Sequence, residues 1–278
     1  SFYRLGPGKP VEVRKHIAGD WGCGYKKKEF SPEAGLEGIV PDHAPQGGCT
    51  FCLRPCSTPM AWEEKGEMLE RQLDSVLEAF PDMKKLIVVD EGALAYVDEL
   101  AARLASKPAE GIELLVSGRL NYLARYRDRL EAALESLAGT NTIRLYQFGL
   151  ENLSDSVLRR YNKGLNFQQI QDACELMFKL IDEHDNLEAE ESFGFIMFDP
   201  WTTWRELKEN VVRARQFDLS RLRSSAPYTA MRLYPEAPLY WRALKEGLLT
   251  GQMGENDFGY SVGSGWNFKY EATTKIHD

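Results

Sequence analysis

Two periods alternate along this chain. From Leu86 onward, short runs of β-branched and apolar residues are followed by longer segments in which apolar residues return every three or four positions. The first kind suits buried parallel strands and the second suits amphipathic helices, so the order is that of β/α units around a parallel sheet. The predicted strands are Leu86–Asp90, Ile112–Ser117, Thr142–Phe148, Ser192–Phe198 and one within Leu222–Met231, with a first strand expected ahead of the cysteines. The predicted helices are Gly66–Phe80, Leu94–Ser106, Leu120–Leu137, Asp155–Tyr161, Phe167–Glu183, Thr203–Phe217 and Leu239–Glu246. Pro81, Pro108, Gly139, Pro200 and Gly247 punctuate them, and Ser154 is placed to cap the helix that follows it.

In the helix from Phe167, the residues Ile170, Ala173, Cys174, Met177, Leu180 and Ile181 form one apolar stripe, which assigns Cys174 to the core. About six units are too few for a closed eight-stranded barrel. The fold expected is therefore α/β, a partial (β/α)6 barrel with a parallel sheet, open on one side and carrying its site at the C-terminal strand ends. The organisation expected is an N-terminal segment 1–48 with Cys23 and a polar insertion, the barrel over 49–250, and a C-terminal extension over 251–278.

Composition narrows the function. The 278 residues are 43% hydrophobic and 27% charged, which suits a packed globular protein. A net charge of −8 argues against a general nucleic-acid or anionic-membrane surface. No apolar run reaches membrane-spanning length and no secretory pattern opens the chain, so a cytoplasmic location is expected. The polar opening Ser1 to Pro10 reads as though cut from something longer, and an upstream domain is an expectation.

The five cysteines are Cys23, Cys49, Cys52, Cys56 and Cys174. Four fall early in the chain, and an odd count without a secretory signal points to metal or redox chemistry rather than a disulfide framework. The loop Gly47-Gly48-Cys49-Thr50-Phe51-Cys52-Leu53-Arg54-Pro55-Cys56 is shaped by glycine and proline and concentrates three thiols. Read alone, it suits a closed tetrahedral zinc site with Cys23 or an iron–sulfur cluster, with a redox pair or unliganded thiols as the remaining readings.

Other segments carry further pattern. Val88-Val89-Asp90-Glu91 ends the second strand in acids, and Leu115-Val116-Ser117-Gly118-Arg119 ends the third. Gly149-Leu150-Glu151-Asn152 leads through a helix to Asn162-Lys163-Gly164, Gly194-Phe195-Ile196 is followed by Pro200, and Tyr234-Pro235-Glu236-Ala237-Pro238 closes the sixth strand. With the C-x-aromatic-C of Cys49 to Cys52 and the stretch Trp21-Gly22-Cys23-Gly24-Tyr25, this order resembles the radical S-adenosylmethionine (radical SAM) superfamily from about Cys23 to Leu249, especially its cobalamin-associated branch.

The resemblance implies a [4Fe–4S] cluster on three cysteines with one iron left open, S-adenosylmethionine as cofactor, and radical chemistry on a substrate that no residue identifies. It implies Asp90 and Glu91 at the cofactor's amino group or ribose, Arg119 at its carboxylate, and Gly149, Glu151 and Ile196 at its adenosine. It also implies an electron donor such as flavodoxin or ferredoxin. Cobalamin is a further implied cofactor; because the chain has no D-x-H-x-x-G motif, it would be brought by another segment or chain.

Each residue has a plainer reading. Glu151 would be a helix-start carboxylate, Arg119 a surface charge, Lys163 a helix-end cation, and Trp201 and Tyr228 core aromatics rather than pocket walls. A non-catalytic iron–sulfur or zinc protein is the competing class. The family spaces its cysteines C-x3-C-x2-C, whereas about 25 residues part Cys23 from Cys49, a closure that costs on the order of 2 kcal/mol more. Apparent metal-site energies of about 10 kcal/mol outweigh that. Cys23 is favoured over Cys56 as third ligand because Phe51 puts Cys52 in the place of the family's final cysteine, and the polar insertion with Lys26-Lys27-Lys28 and Pro41-Asp42-His43 would fold over the site as a lid.

Overall fold

Leu86, Val88, Leu114, Val116, Ile143 and Leu145 expose no surface, and their strand neighbours Ile87 and Leu115 are buried as well. Strands apolar on both faces belong inside a parallel sheet. In the computed structural model, which describes residues 14–19, 22–54, 62–189, 193–216, 221, 229–252 and 264–277, that is where they lie. The chain divides into two compact units, one of Ser1–Trp21, Pro59–Tyr146 and Met177–Glu190, the other of Gly22–Thr58, Gln147–Leu176 and Glu191–Asp278. The fold is α/β, with a five-stranded parallel sheet.

The first unit holds that sheet. Its strands are β1 (Arg14–Ala18), β2 (Lys85–Val89), β3 (Glu113–Val116), β4 (Thr142–Leu145) and β6 (Leu187–Ala189), adjacent in that order and all parallel. β1 is the strand expected ahead of the cysteines. Helices α1 (Trp62–Ala79), α2 (Val97–Ala105), α3 (Asn121–Arg125) and α4 (Arg127–Leu137) supply the crossovers that parallel neighbours require. α2 turns Val97, Leu100, Ala101 and Leu104 inward, and α4 turns Leu130, Ala133, Leu134 and Leu137 inward.

Three departures from the sequence reading have local causes. The helix predicted over 120–137 is broken at Tyr126 (φ −117°, ψ 27°), although the bonds Tyr126 N–H to Tyr122 O and Leu130 N–H to Tyr126 O are kept, so Leu123 and Leu130 are both buried across the break. The strand predicted over 142–148 stops at Leu145 and resumes as β5 (Gly149–Glu151), because Gln147 takes a left-handed φ of 52° that no strand tolerates. β6 escaped prediction because three residues, Leu187-Glu188-Ala189, are too few to show a strand period. It is an edge strand, tied to β4 by Arg144, which pairs with Glu188 at 2.5 Å and Glu113 at 3.1 Å.

The second unit contains β5 beside β7 (Gly194–Phe195) in a parallel pair, α5 (Asp155–Arg160), α7 (Trp204–Ala214), α8 (Pro238–Lys245), the antiparallel β8 (Leu249–Gln252) and β9 (Ser264–Trp266), and α9 (Glu271–His277). α6 (Phe167–Glu183) matches its predicted span, and the division between the units falls within it. Its stripe is buried as expected except for the half-buried Ile181, and burial pushes the Cys174 thiol up to about 12. Of the strand expected over 192–198, Ser192 lies outside the described residues and the rest is reduced to β7; of the last predicted strand Ala230 makes a single parallel bridge to Phe198 while residues 222–228 lie outside those described. Ser154 occupies the N-cap of α5, but its hydroxyl donates to Glu209 at 2.6 Å instead of capping; Thr203 does cap α7, in a reciprocal box with Glu206.

A core of Ala34, Leu36, Val157, Tyr161, Trp201, Met231, Leu233 and Leu239 joins these elements, with Phe51, Ile196 and Trp266 packed against it. Trp201 is thus a core aromatic. Its Nε1–H donates to Glu246 at 3.0 Å, and the same carboxylate accepts from Arg242 Nε at 2.9 Å and Lys269 Nζ at 2.7 Å. Partial burial disfavours the Glu246 carboxylate, but these three donors prevail and hold it at about 2. A depressed folded-state value means that the stabilisation is full above the ordinary carboxylate range and fades as pH falls from about 4.5 toward about 2. Urea unfolding of wild type and Glu246→Gln at pH 7 and pH 3 checks this: the difference between the two proteins is expected to shrink at pH 3, and an undiminished difference refutes the clasp.

Candidate functional site

The stretch between Cys23 and Cys49 folds back on itself. Cys23 leads into a 3-10 turn over Gly24–Lys27, Glu29 then bridges Gly47 in antiparallel fashion, and Gly48 N–H donates to Lys28 O at 2.7 Å. The contact demands two glycines. A Cβ on Gly47 would lie 2.6 Å from Lys28 O, and Gly48 has φ +80° with Lys26 Cα 3.0 Å from where its Cβ would be. The long insertion is thereby closed by backbone pairing within the fold.

Lys26, expected on a polar lid, instead points its ammonium into the cysteine loop, donating to Cys52 O at 2.5 Å and Cys49 O at 3.4 Å. Cys52 N–H closes a turn on Cys49 O at 3.2 Å, and Arg54 N–H reaches Cys52 Sγ at 3.4 Å. Cys23, Cys49 and Cys52 are half-buried. Burial pushes the Cys52 thiol above its usual range, opposed by the Arg54 N–H and the Lys26 charge. Soft donors of this kind suit a thiophilic metal. Among the described residues no three His, Cys, Asp or Glu side chains gather as a metal group, and Cys56 lies outside them, as do Trp21 and Tyr228.

The loop is anchored by the residues that follow α5. Asn162 has a left-handed φ of 47°; its Nδ2 donates to Gly48 O at 2.9 Å and Glu29 O at 3.2 Å, and its Oδ1 accepts from Ser31 N–H at 3.1 Å. Tyr25 OH adds a bond to Asn162 O at 2.9 Å. Thr50, between the two cysteines, is fully buried: its N–H donates to Tyr161 O at 3.0 Å, its hydroxyl to Arg160 O at 2.9 Å, and its carbonyl accepts from Leu239 N–H at 3.0 Å. Two orphan carbonyls of a helix end are thus satisfied by the cysteine loop.

Beneath this lies a buried charge group. Arg160 donates to Asp199 at 2.9 Å and to Glu206 at 3.0 Å. Burial alone would lower the Arg160 pKa, but the two carboxylates hold it above its usual value; Glu206, also opposed by burial, is held below the usual range by Arg160, Ser156 and Thr203.

Lys163 is buried rather than a solvated helix-end cation, and its Nζ meets Glu151 Oε1 at 3.0 Å. Glu151 itself has φ 65°, which swings its carboxylate over Gly149, where any Cβ would collide with Oε1. Ile196 N–H donates to Glu151 O at 2.7 Å, and Asn152 Nδ2 to Ile196 O at 2.8 Å. Ile196 lines a cavity of about 420 Å³ with Phe51, Phe195, Met231 and Tyr234. Phe51 of the cysteine loop and Ile196 therefore share a pocket wall, with Glu151 one hydrogen bond from Ile196.

The remaining candidates belong to the first unit. Parallel register puts Asp90 and Glu91 just past β2, beside Ser117 and Arg119 just past β3. Asp90 is buried and accepts from Tyr96 OH at 2.6 Å, Gly92 N–H at 2.7 Å and Lys65 Nζ at 3.1 Å. Arg119 is 6% exposed, so it is no surface charge. Lys65 and Tyr96 carried no signal in the sequence, whereas Asn162 stood within a noticed pattern without its role being apparent.

No family model matches the chain, and no curated protein matches it in sequence.

Asn162→Ala would leave the buried Gly48 carbonyl, and the part-buried Glu29 carbonyl and Ser31 N–H, without this partner. It is expected to lower stability by about 2 kcal/mol or more, and to speed alkylation of Cys52 by a maleimide reagent under native conditions. An unchanged alkylation rate would show that the loop does not depend on this side chain.

Proposed function

We propose that the chain is a radical SAM enzyme, built on a partial (β/α)6 barrel of that type, which reductively cleaves S-adenosylmethionine to begin radical chemistry on a further substrate. One observation carries the reading. In a single compact unit, the cysteine loop, the Gly149–Glu151 strand, the Asn162-Lys163 segment and Ile196, separate in sequence, are linked by direct hydrogen bonds, and Phe51 of that loop lines one cavity with Ile196.

Cys49 and Cys52 would hold the cluster with Cys23 as third ligand in preference to Cys56. Closure of the insertion by the Glu29–Gly47 bridge supports Cys23, since the entropy of that loop is met by folding rather than by the metal alone. A [4Fe–4S] cluster held by these cysteines would supply the single electron needed to cleave the sulfonium of S-adenosylmethionine reductively. Phe51 and Ile196 give the adenine two apolar contacts, and Glu151, steadied by Lys163, offers a carboxylate acceptor to the ribose or amine. Asp90, Glu91 and Arg119 are assigned to the amino group, ribose and carboxylate by the sequence resemblance. A flavodoxin or ferredoxin would deliver the electron, and cobalamin would enter where methyl transfer is the outcome.

Anaerobic reconstitution with iron and sulfide, followed by a strong reductant and S-adenosylmethionine, is expected to release 5′-deoxyadenosine, or S-adenosylhomocysteine where methyl transfer occurs. A colourless, zinc-loaded protein that yields neither product would instead establish a non-catalytic thiolate site.

Glu151→Gln keeps an acceptor for Lys163, so the fold is expected to survive while S-adenosylmethionine binding weakens about tenfold. Equilibrium dialysis at matched thermal stability reads this out. Wild-type affinity in the variant would confine Glu151 to a structural role.

A further inference from the structure

Among the large hydrophobic side chains that the described residues leave exposed, Trp204, Val211 and Val212 stand together on α7, at 58%, 47% and 48% exposure. With Lys208 they recur at helical spacing and form one stripe of the helix. The stripe lines a groove of about 310 Å³ with Met197, Phe198 and the buried Leu207. These walls are fixed. Thr203 and Glu206 cap the helix reciprocally, Asn210 accepts from Leu153 N–H at 2.9 Å and sets its Nδ2 3.6 Å from Met197 Sδ, and Phe198 N–H donates to Thr229 O at 3.0 Å. Apolar surface kept exposed in a concave place marks a binding site. Its size points to a small ligand: a stable protein interface takes about 800 Å² from each partner, more than three partly exposed side chains of one helix supply, whereas the groove volume is at the lower end of small-molecule sites.

The charge of the groove selects among small ligands. Lys208 is exposed on its rim and forms no ion pair among the described residues, and no carboxylate lines the groove among them. The nearby acids are engaged elsewhere. On α7, Glu206 meets Arg160 at 3.0 Å, and Glu209 accepts from Ser154 OH at 2.6 Å and Arg205 at 3.3 Å; Asp199, next to Phe198, meets Arg160 at 2.9 Å. A lysine whose stem lies along apolar surface while its ammonium stays at the edge complements an anion carried on an apolar chain.

We propose that this groove binds a small amphipathic acid, an aliphatic chain ending in one carboxylate, with the chain against Trp204, Val211 and Val212 and the carboxylate on Lys208. The groove shares no lining residue with the cavity of Phe51 and Ile196, and the assignment does not rest on the radical SAM reading.

Matched aliphatic probes test this. Saturation-transfer NMR titrations on the full chain would compare octanoate, 1-octanol and octylamine in wild type, Lys208→Gln, Lys208→Arg and Val211→Gln, with sedimentation velocity on the same samples. Octanoate is expected to bind about threefold tighter than octanol, and octylamine more weakly than either. Lys208→Gln is expected to remove the advantage of the acid, Lys208→Arg to keep it, and Val211→Gln to weaken all three probes alike. Each variant changes an exposed side chain and is expected to keep wild-type thermal stability. Octanoate binding that is no tighter than octanol binding, or an advantage that is unchanged in Lys208→Gln, overturns the proposal. So does a concentration-dependent dimer that Val211→Gln dissolves, which would give the groove to a second copy of the chain.

Discussion

The carboxamide of Asn162 is the contact on which the candidate site depends. Its three bonds reach the two strands of chain that carry the cysteines, through Glu29 O and Ser31 N–H on one side and Gly48 O on the other. A buried amide that satisfies both of its ends contributes twice, by its own bonds and by sparing three backbone groups the penalty of burial without a partner. The left-handed backbone at Asn162 is what turns the side chain back toward the loop, and asparagine tolerates that conformation better than most residues. The thiols at Cys49 and Cys52 are therefore held by protein–protein bonds, and a ligand arriving at them meets a loop whose ordering entropy the fold has already met.

That amide has a fixed place because the helix end beneath it does. Arg160 and Asp199 are buried and charged, an arrangement that is tolerable only with near-complete pairing. Asp199 achieves this by accepting from both Nε and Nη2 of Arg160 with one oxygen while Trp201 N–H and Thr202 OH occupy the other. The group ties the end of α5 to the start of α7, and Thr50 then docks on carbonyls of Arg160 and Tyr161. Removing one member of such a set exposes the rest to an uncompensated charge, so the cysteine loop inherits its rigidity from electrostatics some residues away.

What the sequence made legible follows from the range of the forces involved. β2 and β3 were readable because a strand buried on both faces must be apolar almost throughout, β4 because Ile143 and Leu145 alternate with polar residues, and α6 because a single stripe decides which side is covered. β6 was unreadable: Leu187–Ala189 gains its pairing from Arg144 on a neighbouring strand, a contact no local pattern records. The break at Tyr126 and the left-handed Gln147 were also set by what packs around them. In the site, Asn162-Lys163-Gly164 stood out as a string, yet nothing in the string says that the amide clamps a loop or that the ammonium meets Glu151. Lys26 sits in a run of lysines that reads as part of a lid, and only the fold singles it out from its neighbours.

Glu151 shows how closely such a carboxylate is specified. Its oxygen Oε1 lies where a side chain on residue 149 would be, and Oε2 would be 3.5 Å from a Cβ on residue 194. Gly149 therefore makes the space, the positive φ of Glu151 aims the group into it, and Lys163 keeps it there. A solvated helix-start carboxylate would need none of these, since the helix dipole acts over the first turn whatever the backbone of its neighbours. Three independent constraints converging on one side chain, two of them carrying conformational strain or lost side-chain packing, argue that the position of this carboxylate is what the local sequence is built to hold.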